Sequence, residues 1–360
     1  MPTTNSNNKG TVLLTGLNGY IAGVTAEAFL KAGYSVRGTV RSASSAKTLL
    51  DALSHYGNLS IVEIPDITKP GAFDEAVKGV SYIAHLASPV SFSFDDPQGV
   101  INTAKTGALR VLESAHKHQL SHPGSITSLV FMSSIAAVRS PNNSSPEFTH
   151  TYTEKDWNTT SETTVQEKGS AAGFEVYQAS KTAAEKAVWD FRTQNNPSFS
   201  ISSINPVFVT GPPAILPHSP DKIPQTAQPI YAVAAGHPLS KASVGSIVPG
   251  LIDAYVDVRD VARAVVWGVE HPKESDGERY ILSAWYAPPQ SVADILRKEF
   301  PEKMEQIEEG NPGKGYDSDY GWKSRKVGID GTKVVKATGV EYIPWEKTVV
   351  DTVRFLEPLV

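Results

Sequence analysis

The stretch TVLLTGLNGYIAG (Thr11–Gly23) runs from an apolar segment through two glycines into a helical pattern. Gly16 and Gly19, with Ala22 one turn later, give the spacing G-x-x-G-x-x-A. Between a strand and a helix, such missing side chains let backbone N–H groups approach a pyrophosphate, which then sits on the helix N-terminus. The spacing alone says little, because 27 glycines produce it by chance. Its place between a β-rich run and a helix gives it weight, against the plain reading of a tight turn without a ligand.

Outward from that turn, the first two-thirds of the chain alternate short β-rich runs with longer helical patterns. That alternation predicts a parallel sheet with crossover helices. The strand candidates are Thr11–Gly16, Tyr34–Val40, Leu59–Pro65, Val80–Ala87, Ile126–Ser134 and Phe199–Pro206. Several are apolar nearly throughout, as strands covered on both faces should be. Helical patterns cover Ile21–Lys31, Gly99–His116 and Tyr177–Arg192, the first stopped by Gly33. After Pro206 the texture changes: Gly211–Pro229 is proline-rich and reads as an irregular loop, then Tyr255–His271 returns to strand and helix, and Arg279–Ser283 reads as a last strand. The expected fold is α/β, a Rossmann-like doubly wound parallel sheet of about seven strands with a smaller C-terminal substrate-binding lobe. The sheet domain is expected over 1–206 plus 255–283, the lobe over 207–254 plus 284–344, and a C-terminal helix over 345–360.

Composition narrows the class. The 360 residues are 40% hydrophobic and 20% charged, ordinary for a globular chain, and the net charge of −5 offers no basic field for nucleic acid or an acidic membrane. No eighteen-residue apolar span is evident, and the polar start MPTTNSNNKG lacks the apolar core of a secretory signal. Without cysteine there is no disulfide, thiolate metal site or cysteine nucleophile. His116, His118 and His122 cluster near a helix end and read as a solvated face, so no metal is expected. A cytoplasmic protein, monomeric or homodimeric, follows as the default.

Two further strand ends bear on a nucleotide. A site for NAD places an acid at the end of the second strand to accept from the ribose 2′-hydroxyl. Here VRGTVRS carries Arg37 and Arg41 and no acid, which suits the extra phosphate of NADP; both arginines could equally be solvated. Asp66, after the third strand, either accepts from the adenine amino group or caps the following turn. The small residues of HLASP (His85–Pro89) suit close passage of a dinucleotide, or simple packing of Ala87.

The fifth strand ends in VFMSS, presenting Ser133 and Ser134. After the long polar insertion Arg139–Gly173 comes FEVYQASKTAAEK, in which Tyr177 alone of thirteen tyrosines has a lysine, Lys181, four positions on. The spacing by itself does not exceed chance; its location after a serine-ended strand carries the weight. A tyrosine titrates near 10, and a neighbouring ammonium favours the phenolate and brings that value toward working range. A serine at the strand end can hydrogen-bond a carbonyl oxygen as it gains charge. Glu185 and Lys186, further along the helix, read as solvated.

These segments resemble the extended short-chain dehydrogenases/reductases: TGLNGYIAG, PDITKPGAF, HLASPVSF, VFMSSIAAV, YQASK, INPVFVTGP and YVDVRDVARA stand in order from about Thr11 to Ala264. Among subfamilies the chain looks most like fungal NADPH-dependent carbonyl reductases, the methylglyoxal/aldehyde reductases, and more distantly like plant dihydroflavonol and cinnamoyl-CoA reductases. The resemblance implies Ser134, Tyr177 and Lys181 as catalytic residues. It implies a cofactor, NADPH/NADP+, held by Gly16, Asn18, Gly19, Tyr20, Ile21, Arg41 on the 2′-phosphate, Asp66 on the adenine, Ile67, Leu86, Ala87, Ser88, Tyr177, Lys181, Pro206, Val207 and Val209. Val90, Phe92, Ile135 and Phe208 would face the substrate. Relatives of the reductase group often carry a lysine where this chain has Ser45, with Lys47 nearby.

The leading reading is therefore an NADPH-dependent reductase of a small-molecule carbonyl, ketone or aldehyde to alcohol. A nucleotide-sugar epimerase or dehydratase on the same scaffold is the alternative, although Gly211–Pro229 shows no concentration of arginines for a sugar diphosphate. A non-catalytic dinucleotide sensor is a third, although such proteins usually lack the tyrosine or lysine kept here.

Overall fold

Twelve strands form in the computed structural model, which describes residues 8–88, 95–140, 149–247 and 252–360. They are β1 (Thr11–Thr15), β2 (Ser35–Val40), β3 (Leu59–Glu63), β4 (Tyr82–His85), β5 (Ser128–Met132), β6 (His150–Tyr152), β7 (Ser200–Pro206), β8 (Phe208–Thr210), β9 (Ala254–Asp257), β10 (Arg279–Leu282), β11 (Trp285–Tyr286) and β12 (Val327–Ile329). Seven make one sheet in the order β10-β7-β5-β4-β1-β2-β3. The five pairings from β7 to β3 are parallel. The chain winds outward from β1 through β2 to β3, then crosses back to β4, so the winding reverses between β1 and β4. Ligands of such sheets collect outside the strand ends at that reversal.

The chain divides into two compact units, one of Met1–Ser140, Trp157–Asn205 and Ala262–Tyr280, the other of Pro141–Asp156, Pro206–Val261 and Ile281–Val360. In the first, every residue of β5 and of β7 up to Asn205 is buried. The helices Pro97–Ser121 and Phe174–Asn195 pack Val111, Leu112, Ala115 and Val188 against Leu13, Ile83, Leu129 and Ile201 in one apolar core. Each Val, Leu or Ile side chain so removed from water contributes about 2 kcal/mol. The helix Pro97–Ser121 outruns the predicted Gly99–His116 at both ends. Asp96 caps it by accepting from Gly99 N at 2.9 Å, with Pro97 at the first position, and buried Gln119 carries the packed face past His116.

The second unit holds a three-stranded sheet, β11-β9-β8, and the two-stranded pair β12-β6. Its core gathers Ile230, Val233, Tyr255, Val292, Leu296, Trp345 and Val349. Buried Asp257, from YVDVRD, pairs with Arg259 at 2.7 Å and accepts from Thr348 Oγ1 at 2.8 Å. A helix, Gln228–Ala234, begins inside the segment that its prolines marked as irregular.

The insertion Arg139–Gly173 is not a featureless loop over its described part. It carries β6, which pairs with β12, and the helix Ser161–Lys168. Buried Asn158 ties it down, its side chain donating to Ala136 O at 2.9 Å and its backbone N–H to Ala137 O at 2.9 Å.

Candidate active site

The glycine turn is shaped by close backbone approach. Gly16 has φ of +72°, and a Cβ there would stand 3.0 Å from Ala87 Cα, so β1 and the segment after β4 meet without room for a side chain. Thr15 Oγ1 holds that segment, accepting from Leu86 N at 3.0 Å and Ala87 N at 2.9 Å. Its own proton then goes to His85 Nδ1, 2.8 Å away. His85 is buried, and desolvation pushes it down to about 3, so it stays neutral.

The helix Tyr20–Lys31 starts at Gly19 with no capping side chain and no acid in its first turn. Its leading N–H groups and the positive end of its dipole therefore face Asn18 and Gly19, both exposed. Tyr20 and Ile21 are partly exposed beside them. This arrangement fits the phosphates of a dinucleotide.

The two arginines of VRGTVRS diverge. Arg37 donates to the Ala76 and Lys78 carbonyls and serves structure. Arg41, directly after β2, is exposed. Lys47 pairs with Asp51 at 2.9 Å, and the Ser45 hydroxyl donates to Ser42 O. Asp66 Oδ1 accepts from Thr68 N and Thr68 Oγ1, which lowers its pKa. Ile67 packs on the core against Gly107.

At the end of β5 the two serines part. Ser133 Oγ donates to Glu185, whereas Ser134 opens the short turn Ile135–Ala137 and shares a hydrogen bond with the Tyr177 phenol. Ile135 is partly exposed. Tyr177 and Lys181 lie one turn apart on the helix Phe174–Asn195, the Lys181 ammonium 5.8 Å from the Tyr177 ring centre. Phe174 stacks on Tyr177 at 5.1 Å. Burial pushes the Tyr177 phenol up, and the Ser134 hydrogen bond pulls it back. That direction differs from the one expected of a neighbouring ammonium, because burial of the phenol outweighs what lowers it. Lys181 is itself pushed down to about 8 by burial, with Glu185 pulling it up.

Pro206, Val207 and Val209 are buried in the second unit, where Val207 N donates to Leu282 O. Phe208 packs edge-on to Tyr255 on that unit's core. Val90 and Phe92 fall outside the described residues.

Glu185 corrects the sequence reading. It is fully buried, not solvated, and at its place in the helix the sheet's strand ends close over it. Lys186 does face solvent, 3.5 Å from Glu162. The groups that sequence reasoning missed are Thr15, Asn205, Glu185 and Arg279, polar residues in or beside apolar runs.

The sequence pattern of the NAD dependent epimerase/dehydratase family matches residues 12–283, well over half the chain. The chain belongs to this family, the extended short-chain dehydrogenases/reductases. It is 30% identical over 348 residues to the NADPH-dependent methylglyoxal reductase of Saccharomyces cerevisiae, covering 95% of this chain and 96% of that one. A ketoreductase of Aspergillus niger is 32% identical over 327 residues, 88% of this chain and 91% of that protein. Among solved structures, yeast methylglyoxal/isovaleraldehyde reductase complexed with NADPH superposes with a TM-score of 0.79 at 28% identity, over 97% of this chain and 98% of that one. Among the described residues, no helix is long and apolar enough to cross a membrane.

Proposed function

We propose that the protein is an NADPH-dependent reductase of small-molecule aldehydes and ketones, with Tyr177 as the general acid. The observation that carries this reading is the meeting of Ser134, Tyr177 and Lys181 where β5 ends, on a sheet whose glycine turn suits a dinucleotide. The family also contains epimerases and dehydratases; the similarity to a methylglyoxal reductase and a ketoreductase, each at least 30% identical over most of the chain, supports reduction.

The uncapped start of Tyr20–Lys31, with Gly16, Asn18 and Gly19, takes the pyrophosphate. Arg41 takes the 2′-phosphate, and Asp66 and Ile67 the adenine side. Leu86, Ala87 and Ser88 line the path that Thr15 holds open. Lys181 binds the ribose hydroxyls.

A dinucleotide held by these residues would supply the hydride for the carbonyl carbon. Ser134 donates a hydrogen bond to the carbonyl oxygen, and Tyr177 transfers its phenolic proton to that oxygen as negative charge develops there. The raised phenol pKa keeps this proton in place at neutral pH, as an acid in the reductive direction requires. Lys181, charged below about pH 8, then stabilises the phenolate until solvent returns the proton.

The test is NADPH oxidation with a panel of aldehydes and ketones. Wild-type protein turns over, and Tyr177→Phe loses at least about 100-fold in kcat while still binding NADPH, the weight of a positioned acid. Undiminished turnover in that variant would refute the mechanism.

A further inference from the structure

Behind the candidate catalytic groups lies a buried polar cluster centred on Glu185. Its Oε1 accepts from Ser203 Oγ at 2.9 Å, Trp189 Nε1 at 3.2 Å and Arg279 Nε at 2.7 Å. Its Oε2 accepts from Ser133 Oγ at 2.5 Å, Asn205 Nδ2 at 2.7 Å and Arg279 Nη2 at 3.3 Å. Six donors on one carboxylate exceed the roughly four lone-pair directions it offers, so the site is saturated. The Trp157 ring, from the insertion, lies 3.8 Å over the Arg279 guanidinium.

A buried ion pair is weak evidence of a stabilising role, since apolar residues of similar volume often do as well. What this one touches is more telling. Asn205, held by Glu185, also donates to Ser134 O at 3.3 Å, and Ser133 is the neighbour of Ser134. Glu185 stands one turn beyond Lys181, and Tyr177, Lys181 and Glu185 recur at four-residue intervals on one helix face.

We propose, resting on the catalytic reading above, that Glu185 held by Arg279 is a positioning residue of the reaction: it fixes the strand end that presents Ser134 and keeps the Lys181 ammonium protonated. The groups around Lys181 support the second half. His85 approaches from β4 and is neutral, Tyr177 carries its proton, and Arg279 lies behind the carboxylate on β10. Glu185 is thus the negative charge that opposes the desolvation of Lys181.

The experiment measures kcat for carbonyl reduction from about pH 6 to 10, at saturating NADPH, in wild type, Glu185→Gln and Glu185→Asp. NADPH affinity is followed in parallel by the fluorescence of the bound cofactor. Glu185→Gln should lower kcat by about 10- to 100-fold, change NADPH affinity much less, and move the alkaline limb of the profile to lower pH. Glu185→Asp, which keeps the charge, should return the limb toward its wild-type position even where kcat stays low. A Glu185→Gln limb at the wild-type pH overturns the proposal, whatever its kcat. Should Glu185→Gln not fold, Glu185→Leu with Arg279→Met removes both charges together; its limb must shift likewise, and a wild-type limb there overturns the proposal. Tyr177→Phe, assayed alongside, separates the two readings. Full activity in it defeats the catalytic assignment, whereas an inactive Tyr177→Phe beside an unshifted Glu185→Gln limb defeats only the role of Glu185.

Discussion

Replacing Lys181 with methionine should make the protein more stable at neutral pH while removing its activity. Lys181 is 6% exposed, and burial brings its ammonium from the ordinary 10.5 down to about 8. Holding that charge in the folded state therefore costs about 3 kcal/mol at pH 7. Met keeps the unbranched stem and drops the charge, and Glu185 retains Arg279 and its hydroxyl and amide donors.

The sign fixes the pH dependence. Below about pH 8 both folded and unfolded chains hold the Lys181 proton, and the full penalty is present. Between about 8 and 10.5 the unfolded chain holds the proton and the folded chain does not, so wild type gains stability as pH rises. The advantage of Lys181→Met should thus be about 3 kcal/mol at pH 7 and about 1 kcal/mol near pH 9.5. Urea unfolding of both proteins, followed by far-ultraviolet circular dichroism at several pH values, measures this difference. A variant no more stable than wild type at pH 7, or an advantage that does not shrink toward pH 9.5, would refute the reasoning.

Arg41→Ala should raise the KM for NADPH by about 10-fold or more and leave that for NADH nearly unchanged, because Lys47 is paired with Asp51 beside it. Equal effects on the two cofactors would remove Arg41 from the phosphate. Gly16→Ala places a Cβ at φ of +72° and 3.0 Å from the Ala87 backbone, so NADPH binding should weaken by about 10-fold or more through strain of about 1–2 kcal/mol and a displaced turn. Calorimetric titration with NADPH gives the number, and wild-type affinity would mean that the close approach is not required.

The sheet was legible because its signals are local. Strands β1, β2, β3, β5, β7 and β10 each begin within two residues of their predicted starts, since apolar runs and bounding glycines or prolines lie within the segment itself. Tyr177, Lys181 and Ser134 were readable for the same reason, as short motifs at strand ends and helix starts. The pairing of β6 with β12 was not, because two three-residue strands 177 positions apart carry no shared local signal. The Glu185 cluster escaped more completely. Its members sit at 133, 157, 185, 189, 203, 205 and 279; the serines and Asn205 each look like a polar residue interrupting an apolar run, Glu185 and Arg279 like solvated charges, and the two tryptophans carry no polar signal. Only the fold shows that these residues point at one another.

That concealment follows from what the site requires. A tyrosine that donates a proton at neutral pH must keep its phenol protonated, and burial does so without any added charge. The same burial works against the ammonium that should stabilise the phenolate once the proton has left. With desolvation alone, Lys181 would titrate lower than about 8 and hold its proton less firmly. A carboxylate placed directly against Lys181 would restore the charge but would also compete for its protons and occupy the donors meant for the ribose. Glu185 avoids this by standing a turn away with all its lone pairs engaged by Ser133, Ser203, Asn205, Trp189 and Arg279, so it acts on Lys181 through its field and not through a bond. Arg279 in turn makes the buried carboxylate tolerable, and the Trp157 ring shields Arg279 from water. On the proposed mechanism, the chain of dependence runs from Trp157 of the insertion, through the Glu185–Arg279 ion pair, to the protonation state of Lys181.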